Sequence, residues 1–173
     1  MQKTYPICQE AVEFVKKFEG LHDGDLREVG LRPKQDPVGI WTIGYGHAQR
    51  DRETGRLLRG ESDRNAAYRD ARKLTVEEAL ALLKQDLDEY ATHVAALIAV
   101  PVTESEFGAL VSFAFNVGIS NFKGSTLLRL LNQGRHEQAA AEFPKWCRAG
   151  GRIMPGLVKR REAEKELFLR GRA

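Results

Sequence analysis

Apolar positions along the chain follow two repeats, a helical one that dominates from Thr75 onward and a short alternating one between Trp41 and His47. Ile7, Ala11, Phe14, Val15 and Phe18 lie at helical spacing behind Pro6, which suits a first turn, so the pattern predicts a helix over Pro6 to Phe18 that stops at Gly20. Residues 21–35 show no sustained period and carry two Gly and a Pro, which predicts a loop holding at most a short hairpin. From Trp41 to His47, β-branched and aromatic residues alternate with Gly, the signature of a strand whose backbone is approached closely on one side. Residues 48–73 are charged, with breaks at Gly55 and Gly60 and enough apolar surface around Ala66 and Ala67 for one short helix; they read as a solvated lip.

Thr75-Val76-Glu77-Glu78 has the form of a capping box, and Ala79, Leu80, Leu83, Leu87, Tyr90, Val94, Leu97 and Ile98 run in helical register behind it. One long helix over 75–98 is predicted, ended by Pro101. Thr103-Glu104-Ser105-Glu106 opens the next by the same device, and Asn116-Val117-Gly118 closes it, with Asn116 as a cap. Shorter helices are predicted over Ser125 to Leu131, His136 to Trp146 and Gly156 to Leu169, the last after a turn at 150–155. The fold class is therefore α+β and mainly helical, with its small β region confined to the first half.

Composition narrows the classes of function. The 173 residues are 42% hydrophobic and 29% charged, enough for one packed domain and unlike a disordered chain. A net charge of +3 gives no reason to expect a nucleic-acid partner. Positive charge between Lys145 and Arg172 favours an anionic surface. The apolar runs, 95–100 and 108–115, fall well short of the ~20 residues of a membrane span, so no stable membrane insertion is expected. The first residues lack the apolar centre of an export signal. Cys8 and Cys147 have no metal-binding spacing and read as free thiols, and His22, Asp23 and Asp25 read as solvated loop charges, so no metal and no cofactor are expected.

The residues that carry chemistry are Glu19, Asp36 and Thr42. Glu19 falls at the predicted helix end, where unpaired carbonyls present negative partial charge and disfavour a carboxylate, which suits a proton donor. Asp36 stands in a turn-forming Asp-Pro context just before the strand, and Thr42 offers a hydroxyl from within it. Two acids and a hydroxyl about a glycine-lined strand are the parts needed for glycoside hydrolysis. Trp41, Gly44 and Tyr45 are the candidate substrate contacts, since rings on this strand can stack on sugar faces, although aromatic strand residues also serve as core.

Phe18-Glu19-Gly20 followed by Asp36-Pro37-Val38-Gly39-Ile40-Trp41-Thr42-Ile43-Gly44-Tyr45-Gly46-His47 closely resembles the catalytic segment of the phage lysozyme family of glycoside hydrolases. The resemblance continues through Leu110 to Gly118, Ser125 to Leu128, and Gly156 to Arg161 with Glu164. It implies a lysozyme-like fold of two lobes: residues 19–74 as the small β-containing lobe, 75–98 as the connecting helix, and 1–18 with 99–173 as the helical lobe, with a cleft between. It carries the family's Glu, Asp and Thr over to Glu19, Asp36 and Thr42, implies an ion pair between His47 and Asp86, and leans towards an inverting mechanism. The 16 residues between Glu19 and Asp36 exceed the family's usual spacing, which makes 22–34 the site of an insertion and leaves Glu28 as the rival second acid.

The function implied is that of an endolysin, a muramidase cutting the β-1,4 bond between N-acetylmuramic acid and N-acetylglucosamine in bacterial peptidoglycan. A monomer that accumulates in the host cytoplasm and reaches the wall through a holin is expected. The alternatives are an antagonism effector or prophage enzyme with the same chemistry, and an inactive homologue that binds peptidoglycan.

Overall fold

The computed structural model describes residues 7–21, 29–36 and 38–170. These form two compact units, Lys16–Asp86 on the one hand and Met1–Val15 with Leu87–Ala173 on the other. Both boundaries fall inside helices, α1 (Gln9–Glu19) and α3 (Val76–Leu97).

The Lys16–Asp86 unit holds a three-stranded antiparallel sheet of β1 (Lys34–Gln35), β2 (Trp41–Ile43) and β3 (His47–Ala48), in that order. The single strand expected from Trp41 to His47 is instead a tight hairpin: Ile43 faces His47 across a loop of Gly44, Tyr45 and Gly46. Gly44 and Gly46 have φ of 59° and 85°, a region closed to most residues with a Cβ, and that is what turns the chain. A Cβ on Gly44 would also stand 3.3 Å from that of Ala79, so the close backbone approach read from the sequence exists at this glycine.

The charged lip is ordered. Isolated bridges pair Ile40 with Arg59 and Arg50 with Leu57, and α2 (Arg64–Arg69) follows a single 3-10 turn. Asp63 organises this ribbon: it takes both guanidinium arms of Arg56 at 2.6 and 2.8 Å and the Arg59 N–H at 2.7 Å. The Arg56 guanidinium first, and the Arg59 N–H second, hold its carboxyl well below the ordinary aspartate range. Leu58, Ala67 and Trp41 pack beneath.

The other unit is built on α4 (Glu104–Val117), buried without interruption from Glu106 to Ala114 and mostly apolar on faces that a surface helix would leave wet, its buried polar residues Glu106 and Ser112 being hydrogen-bonded. Both predicted capping boxes are present. At Thr75 the reciprocal bonds to Glu78 measure 2.7 and 3.1 Å, and at Thr103 those to Glu106 measure 2.8 and 3.2 Å. Around Phe113 the rings of Phe122, Phe143 and Trp146 stand edge-on at 6.3, 5.3 and 5.4 Å; pairs of this geometry contribute about 0.5–1.5 kcal/mol each beyond area burial. α5 (Ile119–Lys123) and α6 (Thr126–Leu131) follow.

Three expectations are corrected here. The helix foreseen over His136 to Trp146 is α7 (His136–Ala140) and then a 3-10 turn at Phe143–Trp146, because Pro144 has no N–H to donate and its ring would strike a preceding carbonyl. The turn at 150–155 is a second β-hairpin, β4 (Arg148–Ala149) against β5 (Arg152–Ile153), with Gly150 and Gly151 at positive φ, so β structure is not confined to the first half. Asn116 is not a helix cap: its Oδ1 accepts from Arg161 of α8 (Pro155–Arg170).

That bond belongs to a buried cluster. Glu164 accepts from Arg160 at 3.1 Å, from Ser112 at 2.7 Å and from Arg161, whose Nε also reaches the Trp146 carbonyl at 3.2 Å. Arg160 and Arg161, counted from the sequence among cations facing an anionic surface, are thus interior residues with a structural partner.

Candidate active site

Glu19 is the last residue of α1, and Gly20 behind it, at φ 64°, sends its N–H back to the Lys16 carbonyl at 3.1 Å. This is the αL ending of a helix, and it leaves the half-buried Glu19 beside carbonyls that have no helical partner. The sequence placed Glu19 at the helix end, and the structure puts it there.

Asp36 sits at the tip of the β1–β2 hairpin. Its Oδ1 accepts the N–H of Val38 at 2.9 Å and of Ile40 at 2.8 Å, while its own N–H donates to the Ile40 carbonyl at 2.8 Å. The first of these bonds is an Asx turn, the device for which Asp precedes turns. Because both donors use Oδ1, the carboxylate is held by backbone at one oxygen, and the other accepts from no donor among the described residues.

Thr42 stands on β2 directly across from Lys34, and its hydroxyl donates to the Lys34 carbonyl at 3.1 Å. The proton is thereby directed inward, leaving the lone pairs of Oγ1 as acceptors. One hairpin brings Asp36 and Thr42 together, and Glu19 belongs to the same compact unit. Glu28, the rival acid, lies outside the described residues. The Lys34 carbonyl as the anchor of Thr42 was not foreseen; its only signal was a position two residues ahead of Asp36.

The ring positions differ from the expectation of sugar stacking. Trp41 and Tyr45 are each 6% exposed. Trp41 donates through Nε1 to the Gly60 carbonyl at 2.8 Å and meets Tyr68 edge-on at 6.0 Å. Both rings are core of the sheet unit, and Gly44 serves its turn. Among the described residues, no group of three or more His, Cys, Asp or Glu side chains is set to hold a metal ion.

β3 carries His47, whose Nδ1 lies 2.9 Å from Oδ2 of Asp86 on α3, as the sequence resemblance implied.

Residues 16–164 match the protein family described as Phage lysozyme. The endolysin of Bacillus phage B103 is 40% identical over 165 residues, covering 95% of this chain and 54% of that protein. The chain spans about half the length of the Bacillus phage endolysins it matches. A SAR-endolysin of Bacteriophage PS119 is 38% identical over 88% of this chain and 81% of its own length. Among solved structures, the muramidase domain of SpmX from Asticaccaulis excentricus superposes with a TM-score of 0.73 at 35% identity, covering 96% of this chain and 99% of that one.

Proposed function

This chain belongs to the phage lysozyme family, and from that premise we propose that it is an endolysin that hydrolyses the β-1,4 bond between N-acetylmuramic acid and N-acetylglucosamine of peptidoglycan in host cell lysis. The observation that carries the reading is the state of Asp36, a carboxylate oriented by two backbone N–H groups at one oxygen, with no donor to the other among the described residues. A carboxylate so held keeps its second oxygen available to act as base or as electrostatic partner for an oxocarbenium-like transition state.

In this mechanism Glu19 protonates the leaving glycosidic oxygen, Asp36 stands ionised beside the positive charge that develops on the sugar and takes the proton of the attacking water, and the oxygen of Thr42 accepts a hydrogen bond from that water and orients it. An inverting outcome is part of the proposal. The names of the relatives, endolysin and muramidase, support the reaction class.

Turbidity loss of outer-membrane-permeabilised Gram-negative cells tests the proposal. Wild type clears the suspension, and Glu19→Gln slows clearing by roughly 10²–10⁴-fold, the usual weight of a general acid. Equal clearing by the two proteins would overturn it. Clearing by neither, with retained binding to cell walls, would select the inactive peptidoglycan-binding homologue.

For the phage setting we propose a monomer that gathers in the host cytoplasm and is released to the wall by a holin. Among the described residues no helix is long and apolar enough to cross a membrane. The name SAR-endolysin borne by relatives hints at a different route of release. A second reading, the same chemistry in a bacterial protein, is favoured by the likeness to a bacterial muramidase domain.

A further inference from the structure

Large apolar side chains on the surface are few, and they cluster in one place. Of the six exposed among the described residues, Leu31, Val38 and Tyr68 stand apart along the chain, while Ile153, Met154 and Val158 fall within six positions, at 55%, 43% and 38% exposure. Pro155 and Gly156 between them are exposed too, and only Leu157 is half-buried. An uninterrupted apolar run of this kind adds nothing to a core and invites association, so a surface carries it where something covers it. Farther along α8, Leu167 and Phe168 are buried. The exposed apolar surface therefore gathers at the start of that helix and does not run along it.

The run lies on the β4–β5 hairpin and on the first turn of α8. Met154 and Val158 are one helical turn apart, the Val158 N–H donating to the Met154 carbonyl at 3.0 Å, which sets their side chains next to each other. A Cβ added to Gly150, Gly151 or Gly156 would meet nothing within 4 Å. Three glycines that look onto open space belong to a convex tip and not to the wall of a groove.

Unmatched charge surrounds this tip. Arg148 pairs with Ile153 across the hairpin, so their side chains share one face, and Arg152 lies on the other face beside Ala149. Lys159 follows Val158. All three cations are exposed and none meets a carboxylate among the described residues; Arg148 donates to the Gly151 carbonyl at 3.1 Å. From Cys147 to Arg161 the chain has no Asp or Glu. Glu142, before the hairpin, is taken by Lys145, and Glu162 is the first exposed carboxylate along α8.

A peptide or small ligand asks for a concave site, and a glycan asks for rings to stack on, of which this run has none. A lipid interface asks for neither: acyl chains accept aliphatic side chains at any angle, and headgroup phosphates accept the cations. We propose that the tip docks on the surface of an anionic lipid bilayer, with Ile153, Met154 and Val158 entering the acyl boundary and Arg148, Arg152 and Lys159 pairing with phosphates. The docking is peripheral and does not depend on glycoside hydrolysis. Taken with the proposed function, it keeps the enzyme at the membrane that borders its polymer.

Co-sedimentation of the full chain with vesicles of pure phosphatidylglycerol and of pure phosphatidylcholine tests the docking. Saturable binding is expected on phosphatidylglycerol and roughly a hundredfold weaker binding on phosphatidylcholine, at about fivefold for each of the three cations. Arg148→Gln/Arg152→Gln weakens the first by about 25-fold on the same scale. Lys123→Gln/Arg129→Gln, the same loss of charge at exposed positions of α5 and α6, weakens it much less. Ile153→Ser/Met154→Ser leaves the charge unchanged, weakens binding by at least about tenfold, and removes the part that survives high salt. Both side chains are exposed, so the thermal midpoint of this variant stays near that of wild type. Glu19→Gln binds vesicles like wild type, and lysis without vesicle binding sinks the docking while sparing the hydrolase. Equal binding to the two lipids, an equal loss in Lys123→Gln/Arg129→Gln, full binding by Ile153→Ser/Met154→Ser, or no saturable binding overturns the inference. If instead these variants lose binding to purified peptidoglycan and wild type ignores both vesicles, the tip belongs to the wall polymer.

Discussion

The imidazole of His47 and the carboxylate of Asp86 lie in bidentate contact, Nδ1 being 3.0 Å from Oδ1 and 2.9 Å from Oδ2, across 39 positions of sequence. The pair ties β3 to α3, and both side chains are mostly shielded, 29% and 18% exposed. Screening by water is correspondingly weak. Asp86→Asn is expected to lower stability by about 1.5–3 kcal/mol, the range for a hydrogen bond to a charged group, measured by urea unfolding. His47→Asn made together with it should cost little more than the single change, since the two act as one unit.

Asp36 has two tasks that one variant pair separates. Asp36→Asn keeps an oxygen for the Val38 and Ile40 N–H groups and removes the charge, so the hairpin holds and lysis falls by orders of magnitude; Asp36→Ala loses both. Glu28→Gln retains activity. Full lysis by Asp36→Ala beside its loss in Glu28→Gln would transfer the second acid to Glu28.

Glu164→Ala leaves the guanidiniums of Arg160 and Arg161 buried without their carboxylate. Removal of one partner from such a cluster costs about 3–5 kcal/mol, because the remaining charge stays out of water. Denaturant unfolding of Glu164→Ala beside Lys159→Ala, an exposed cation of the same helix, measures it; equal midpoints would show the cluster to be dispensable.

Acid stability follows from Asp63. Its carboxyl, held by Arg56 and the Arg59 N–H, titrates below the unfolded value of ~3.9, so the folded state gains from it at every pH above that value. That gain declines as pH falls below about 4 and is gone once the folded group is itself protonated. Asp51, bonded by Thr54, and Asp70, bonded by Arg69, are shifted the same way and act with the same sign. Asp63→Asn should flatten the acid limb of a stability-against-pH curve, and a limb as steep as wild type would assign it to other carboxylates.

Gly30 has φ 83°, and a Cβ there would stand 2.3 Å from the Arg72 carbonyl oxygen and 2.8 Å from Leu74 Cγ. Gly30→Ala therefore combines backbone strain with a clash against main chain and should cost at least about 2 kcal/mol in urea unfolding. Gly55→Ala, at φ 71° with nothing within 4 Å, carries the strain alone and should cost less.

The sequence alone was enough for whatever depends on near neighbours. Thr75 and Thr103 announce helix starts because a capping box closes within four residues, and Gly20 announces an end because it alone tolerates the αL turn that leaves Glu19 at the terminus. Asp36 before its turn was legible for the same reason, since an Asx turn is a local bond. Tertiary structure decided what depends on partners far along the chain. The strand around Gly44 becomes a hairpin only by pairing Ile43 with His47, and Trp41 becomes core only once Leu58 and Ala67 fold over it. Arg160 and Arg161 look like any surface cations until Glu164, Ser112 and Asn116 enclose them, and Arg72 and Gln49 share a pocket although 23 positions apart. Periodicity and caps are energies of a few bonds between adjacent residues; burial and charge pairing exist only when distant segments have displaced the water between them.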